Sequence, residues 1–270
     1  MMKDATIKQE SQINWLSLGY EATPFSNACN KSQLFFKSQS LINTLNRLCT
    51  LDSGGICITA LTGEQGCGKT TCLRALSKMR THYHSIMIEA TKGLSPQNLT
   101  KAIFQASILT TQTSRQPTTE ECISLLKKLT LSKKQIRLLV DNAQKLPKET
   151  ISLIKKLACI QPNGSQLQFI LCTETPKAIS TLQGDAQVKT QSIQLKNLSR
   201  KETEKFINLK LQSGTSAPPA HKASSEHIDQ LYEKTNGNIF KINEEATRAL
   251  PSMLKKQAIP GATKAQLKHQ

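Results

Sequence analysis

Apolar residues over the first two thirds of this chain alternate between two spacings. Runs at 56–61, 85–90, 137–140, 167–172 and 192–195 have a strand's length, and the pattern predicts five strands there. Between them apolar positions fall three and four apart. Leu41, Ile42, Leu45 and Leu48 do so across Gln39–Cys49, and Leu73 and Leu76 do so after Lys69. Leu99, Ile103 and Ile108 follow Ser95-Pro96, where proline suits the first helical position. Another helix is predicted over Thr119–Leu131, and Pro147 opens one through Ile151, Ile154 and Leu157. Ser53-Gly54-Gly55 and Pro162-Asn163-Gly164 punctuate the series, and the stretch 110–118 reads as a loop.

After Leu195 only helical spacing remains. Ser199-Arg200-Lys201-Glu202 is a capping box that starts a helix. Helices at 226–235 and 239–250 follow a loop that carries Pro218-Pro219. Strand–helix alternation followed by helices alone predicts an α/β fold: a parallel sheet covered by helices, with a small C-terminal helical lid. The divisions expected are a polar leader at 1–14, a core at 15–197, a lid at 198–250 and a basic, weakly ordered tail at 251–270.

The turn after the first strand carries chemistry. Gly63-Glu64-Gln65-Gly66-Cys67-Gly68-Lys69-Thr70 matches G-x-x-x-x-G-K-[ST] at every position, between a predicted strand and a predicted helix. Glycines let the backbone turn its N–H groups toward phosphates, and the following helix aims its positive end at the same point. Lys69 is the expected partner of the β- and γ-phosphates, and the Thr70 hydroxyl of Mg²⁺. With Thr71, these residues form the expected binding set for ATP. Asp141 closes the third predicted strand, where a carboxylate is the expected second Mg²⁺ ligand, the Walker B position. Asn142 follows where many ATPases of this build place glutamate. An amide can orient a water but cannot take its proton. Either Glu64 or Glu174 takes over that role, or hydrolysis is impaired.

Composition narrows the setting. No apolar run approaches the about 20 residues of a membrane-spanning helix, and residues 1–12 contain no apolar stretch of the signal-peptide kind. A cytoplasmic location is therefore expected. None of the eight cysteines forms a C-x-x-C pair, which argues against a zinc site and for reduced thiols acting as small hydrophobes. The net charge is +17, with 29 Lys against 7 Arg. That charge fits a solvated lysine-rich surface or a face for nucleic acid or anionic membrane.

Pro24-Phe25, Leu61-Thr62-Gly63-Glu64 and the run Leu139-Val140-Asp141-Asn142-Ala143-Gln144-Lys145-Leu146 together resemble the AAA+ domain of ExeA-like proteins. These are also called general secretion pathway protein A, with MSHA pilus biogenesis relatives. The resemblance spans about residues 15–250. It implies a P-loop NTPase (AAA+) core with a helical lid, ATP-dependent homo-oligomer assembly, and protein partners in a secretion or pilus machine. A transmembrane helix and wall-binding domain often follow the lid in that family; neither is carried over to this chain.

The departures from the family are specific. The family reads Asp-Glu-Ala-Gln where this chain has Asp141-Asn142-Ala143-Gln144. Its lid presents Gly-Gly-x-Pro-Arg, whereas Asn236-Gly237-Asn238-Ile239-Phe240-Lys241 stands here, with Phe240 replacing the arginine. The arginine expected before the last strand is also absent, with Gln187, Val188 and Lys189 nearby. Thr173 fills the polar sensor position after the fourth strand. The expectation is an ATP-binding protein that organises an assembly and hydrolyses slowly, with Asn142 and Thr173 as the candidate catalytic pair. The alternative is an ATP-dependent DNA-binding regulator similar to transposition ATPases of the TniB and MuB kind.

Overall fold

The computed structural model describes residues 15, 18, 20, 23–25, 36–50, 58–79, 83–91, 93–107, 117–131, 135–159, 167–175, 190–213 and 222–258. The expected leader, the loop at 110–118 over most of its length, the turn at 162–164, residues 187–189 and the chain beyond 258 lie outside them. Two compact units emerge, one of residues 39–196 and one that joins 1–38 to 197–270.

The first unit alternates helices and strands: α1 (Gln39–Cys49), β1 (Ile58–Thr62), α2 (Lys69–Lys78), β2 (Tyr83–Glu89), α3 (Pro96–Ser107), α4 (Thr119–Leu131) and β3 (Gln135–Asp141). A 3₁₀ turn at Ala143–Lys145 then leads to α5 (Lys148–Ala158), β4 (Leu167–Thr173) and β5 (Thr190–Gln194). All five strands pair in parallel in the order β2-β3-β4-β1-β5. Neighbouring residues of one strand point to opposite faces, and both faces are dry. Leu138 and Val140 join a cluster with Ile103, Leu126, Ile154 and Leu157. Leu139 joins a different cluster with Leu48, Cys72, Leu73 and Leu76. Helices cover the sheet on both sides, so β1 is buried at all positions and lacks polar alternation. The edge strand β2 does alternate: Ile86 and Ile88 are buried while Met87 and Glu89 are exposed.

One cation lies inside this sheet. Arg137 of β3 is fully buried; its Nε donates to Gln168 Oε1 of β4 at 2.6 Å and its Nη2 to the Leu48 carbonyl of α1 at 3.3 Å. Its guanidinium also stacks 4.0 Å from the centre of the Tyr83 ring. The sequence reading placed Arg137 in a strand but did not foresee its burial.

The second unit holds α6 (Arg200–Ser213), α7 (Ser225–Thr235) and α8 (Ile239–Ala258). The capping box forms as expected: Ser199 N–H donates to Glu202 Oε2 at 2.8 Å, and Glu202 N–H to Ser199 Oγ at 3.4 Å. Arg200 ties α6 to α7 through Asp229 at 2.7 Å, and pairs with Glu204 along its own helix. Trp15, Tyr20 and Phe25 pack among Phe206, Ile228, Leu231 and Ala246. The segment expected to open the core therefore belongs with the C-terminal helices.

The helix expected to stop at Leu250 instead runs through Pro251 to Ala258, so the expected tail begins as helix. Proline has no N–H to give the carbonyl four residues back, Thr247. Here the Trp15 indole N–H donates to the Thr247 carbonyl at 3.1 Å. A side chain 232 positions earlier supplies the bond that proline cannot.

Candidate functional site

The order β3-β4-β1 sets the carboxyl ends of three strands side by side, and every residue of the expected site in the core lies at or just beyond those ends. At the end of β1 the chain enters the glycine loop. A Cβ on Gly63 would lie 2.6 Å from the Leu195 carbonyl oxygen and 2.8 Å from Cys67 Sγ, so the loop closes onto the chain after β5 only with glycine there. That approach is fixed by Leu195 N–H, which donates to the Thr62 carbonyl at 2.8 Å. The contact with Leu195 has no signature in the sequence, because Leu195 lies 132 positions from Gly63.

Within the loop, Glu64, Gln65 and Thr71 are exposed, and Gly66, Gly68, Lys69 and Thr70 are partly exposed. Cys67 turns inward: its side chain is buried and its N–H closes on the Glu64 carbonyl at 3.2 Å. Burial pushes the Cys67 thiol up. It shapes the loop from within, beside Cys72 of α2 and Cys172 of β4 in the same apolar cluster. Burial drives Cys72 up to about 12 and Cys172 well above the ordinary thiol range, the latter helped by the Asp141 carboxylate.

The Lys69 ammonium donates to the Gly63 carbonyl at 2.8 Å and to the Glu64 carbonyl at 3.0 Å, which places the cation inside the ring of the loop. Thr70, on the first turn of α2, donates its hydroxyl to Asp141 Oδ2 at 2.6 Å. Two hard oxygens from the loop and from the end of β3 thus converge. That donor set suits Mg²⁺, which takes few protein oxygens and keeps water and phosphate as its other ligands.

The other carboxylate oxygen, Oδ1, accepts the Asn142 backbone N–H at 3.0 Å. Asn142 itself is left-handed, with φ 55° and ψ 37°, and begins the 3₁₀ turn. Asparagine adopts that conformation more readily than other residues with a Cβ. Its presence therefore has a conformational reason beside any catalytic one, and sequence spacing carries no sign of it. Thr173 ends β4 opposite Thr62 of β1, buried, and its hydroxyl donates to the Thr175 carbonyl at 3.2 Å. No hydrogen bond joins Thr173 to Asp141 or Asn142. Glu174 is exposed. Phe240 and Lys241 are exposed near the start of α8, in the other unit.

Residues 55–181 match the family model described as the AAA domain. The parallel five-stranded sheet with its flanking helices is the P-loop NTPase fold of AAA+ proteins. Among solved structures, the chain is similar to the Aeropyrum pernix ORC2 protein in ADPNP–ADP complexes: 14% identity, TM-score 0.57, over 87% of this chain and 68% of that one. It is similar also to a Walker-type ATPase of Pyrococcus abyssi: 14% identity, TM-score 0.59, over 83% and 71%. A third is the Aeropyrum pernix ORC1 protein in complex with DNA, at 14% identity, TM-score 0.56, over 85% and 64%. No curated protein matches the sequence. Among the described residues, no helix is long and apolar enough to cross a membrane.

Proposed function

We propose that this chain is an ATP-binding assembly switch with slow turnover. The observation that carries the reading is the convergence of Thr70 and Asp141 at 2.6 Å beside a complete glycine loop, with asparagine next in line. The loop's N–H groups and the start of α2 would receive the phosphates. Lys69 would exchange two carbonyls for phosphate oxygens, a change from neutral to charged acceptors that strengthens each bond. Mg²⁺ held by Thr70 and Asp141 would offset charge on the β- and γ-phosphates. Asn142 can hold a water by hydrogen bonding, and Thr173 can support it from the end of β4. Neither side chain can accept the water's proton at neutral pH.

Two assemblies are open to such a switch. The ExeA-like run around Asp141 supports a cytoplasmic homo-oligomer that helps build a secretion or pilus machine. The second reading, action on DNA, is favoured by the charge of residues 39–196, which hold 20 Lys and Arg against 9 Asp and Glu. It is supported also by likeness to an ORC1 protein whose structure was solved in complex with DNA.

Titration of a fluorescent ATP analogue, read beside phosphate release, tests the switch. Lys69→Ala should weaken binding about 10- to 100-fold, the loss expected when charge-assisted hydrogen bonds disappear. Turnover should be slow in the unaltered chain. Binding that survives Lys69→Ala unchanged would overturn the nucleotide reading, and fast turnover abolished by that variant would overturn the slow-hydrolysis half. Sedimentation with and without ATP reports the oligomer.

A further inference from the structure

The lysines of the core are not spread evenly over its helices. Along α5, Thr150, Ile151, Leu153, Ile154, Leu157 and Ala158 are buried against the rest of the unit. What remains outward is Lys148, Glu149, Ser152 and Lys156, with Lys155 at the margin. Lys145, exposed on the 3₁₀ turn that two residues separate from the helix, adds a fourth lysine next to its start. Four lysines therefore stand against one glutamate. None of the four has an ion-pair partner among the described residues. By contrast, α4 exposes Lys127 and Lys128 together with Glu120 and Glu121, and is balanced.

We propose that the outward face of α5, with Lys145, Lys148, Lys155 and Lys156, grips the phosphate backbone of duplex DNA. From Lys148 to Lys156 the helix rises about 12 Å, the length of duplex axis over which one strand presents about three phosphates at 3.4 Å of axis each. Flexible ammonium groups on a helix face suit point contacts with phosphate and carry no base readout. The apolar residues of α5 are all spent on the core, so no apolar face is left to enter a lipid surface. The stripe has no aromatic residue on which an unpaired base could stack, which favours duplex over single strand. This inference rests on the DNA reading above and adds to it a place on the fold.

The test is anisotropy of a labelled mixed-sequence duplex, titrated with the full chain plus ATP and Mg²⁺ over a range of salt. Lys148→Glu/Lys155→Glu/Lys156→Glu should lower the slope of log affinity against log salt by about 2 to 3, at about 0.9 per lost phosphate contact. Lys201→Glu/Lys205→Glu/Lys234→Glu, an equal charge change on exposed sites of the other unit, should leave most of that slope. Circular dichroism and ATP-analogue affinity confirm that both variants fold. Equal losses in the two variants would mean diffuse attraction and overturn the stripe while leaving DNA binding intact. No duplex binding by the unaltered chain would overturn the DNA reading itself. Tighter binding to single strands, or to phosphatidylserine vesicles, would overturn the choice of duplex.

Discussion

Replacing Asn142 by glutamate separates two explanations of that residue, and the structure fixes what each predicts. Supplying a carboxylate where an attacking water is oriented contributes about 10²–10⁴-fold when it acts as general base. That is about 2.7–5.4 kcal/mol of barrier. The cost comes from the backbone. Asn142 sits at φ 55°, and a longer side chain there loses about 1–2 kcal/mol relative to asparagine or glycine. Asn142→Glu should therefore hydrolyse ATP at least tenfold faster, with the melting temperature lowered by about 2–4 °C for each kcal/mol. The bond to Asp141 Oδ1 comes from the backbone and survives the change, so nucleotide affinity should hold. Asn142→Gly supplies the controlling case: it tolerates the left-handed conformation and brings neither a carboxylate nor an amide to hold water, so its turnover should not rise above that of the unaltered chain. Single-turnover phosphate release and thermal melts are the measurements. If Asn142→Glu melts lower yet turns over at the original rate with binding intact, asparagine is there for its conformation and the missing base is not what limits hydrolysis.

Other expectations follow from the packing. Gln168→Leu removes the amide that faces the buried Arg137 and should cost about 1.5–3 kcal/mol in urea unfolding; a loss under about 0.5 kcal/mol would mean the guanidinium is satisfied without it. Gly237→Ala places a Cβ 1.9 Å from the Leu198 carbonyl oxygen at φ 70°, and should destabilise the chain by at least about 1–3 kcal/mol, read from the same melts. A thiol reagent near pH 8 should label Cys159, which is exposed, and reach Cys67, Cys72, Cys122 and Cys172 only on unfolding. Burial raises Cys72 to about 12 and Cys122 to about 11 in the folded chain. Their contribution to stability is thus complete below the unfolded thiol value of about 8.5 and falls as pH climbs toward 12. Cys122→Ala should flatten part of that alkaline loss.

Legibility in the sequence followed the range of the forces involved. Gln39–Cys49 and Thr119–Leu131 were readable to the residue because helical spacing is a local property. The capping box at Ser199–Glu202 was readable for the same reason. Strand ends moved by at most two positions: β3 starts at Gln135 rather than 137, since pairing with β2 extends the ladder to Tyr83. The glycine loop and Asp141 were legible as patterns, a complete G-x-x-x-x-G-K-[ST] run and a carboxylate closing an apolar run. The left-handed turn at Asn142, the seat of Gly63 on Leu195 and the burial of Arg137 were not. Each depends on which strands lie next to each other, and the order β2-β3-β4-β1-β5 is not written in any local pattern. Proline 251 misled for the opposite reason: a sound local rule was overridden by a partner 232 positions away.

That override bears on how the chain is made. Trp15 leaves the ribosome 232 residues ahead of Thr247, whose carbonyl it serves. Until α8 is synthesised, Trp15, Tyr20 and Phe25 lack the last of the helices they pack against, while residues 39–196 hold the strands of the sheet and can close early. Contacts of such long sequence separation form slowly, after their loop entropy has been met. Losing the segment around Trp15 would therefore show its damage far along the chain, in the turn of helix around Pro251, and nascent chains halted before α8 would present those aromatic residues to chaperones.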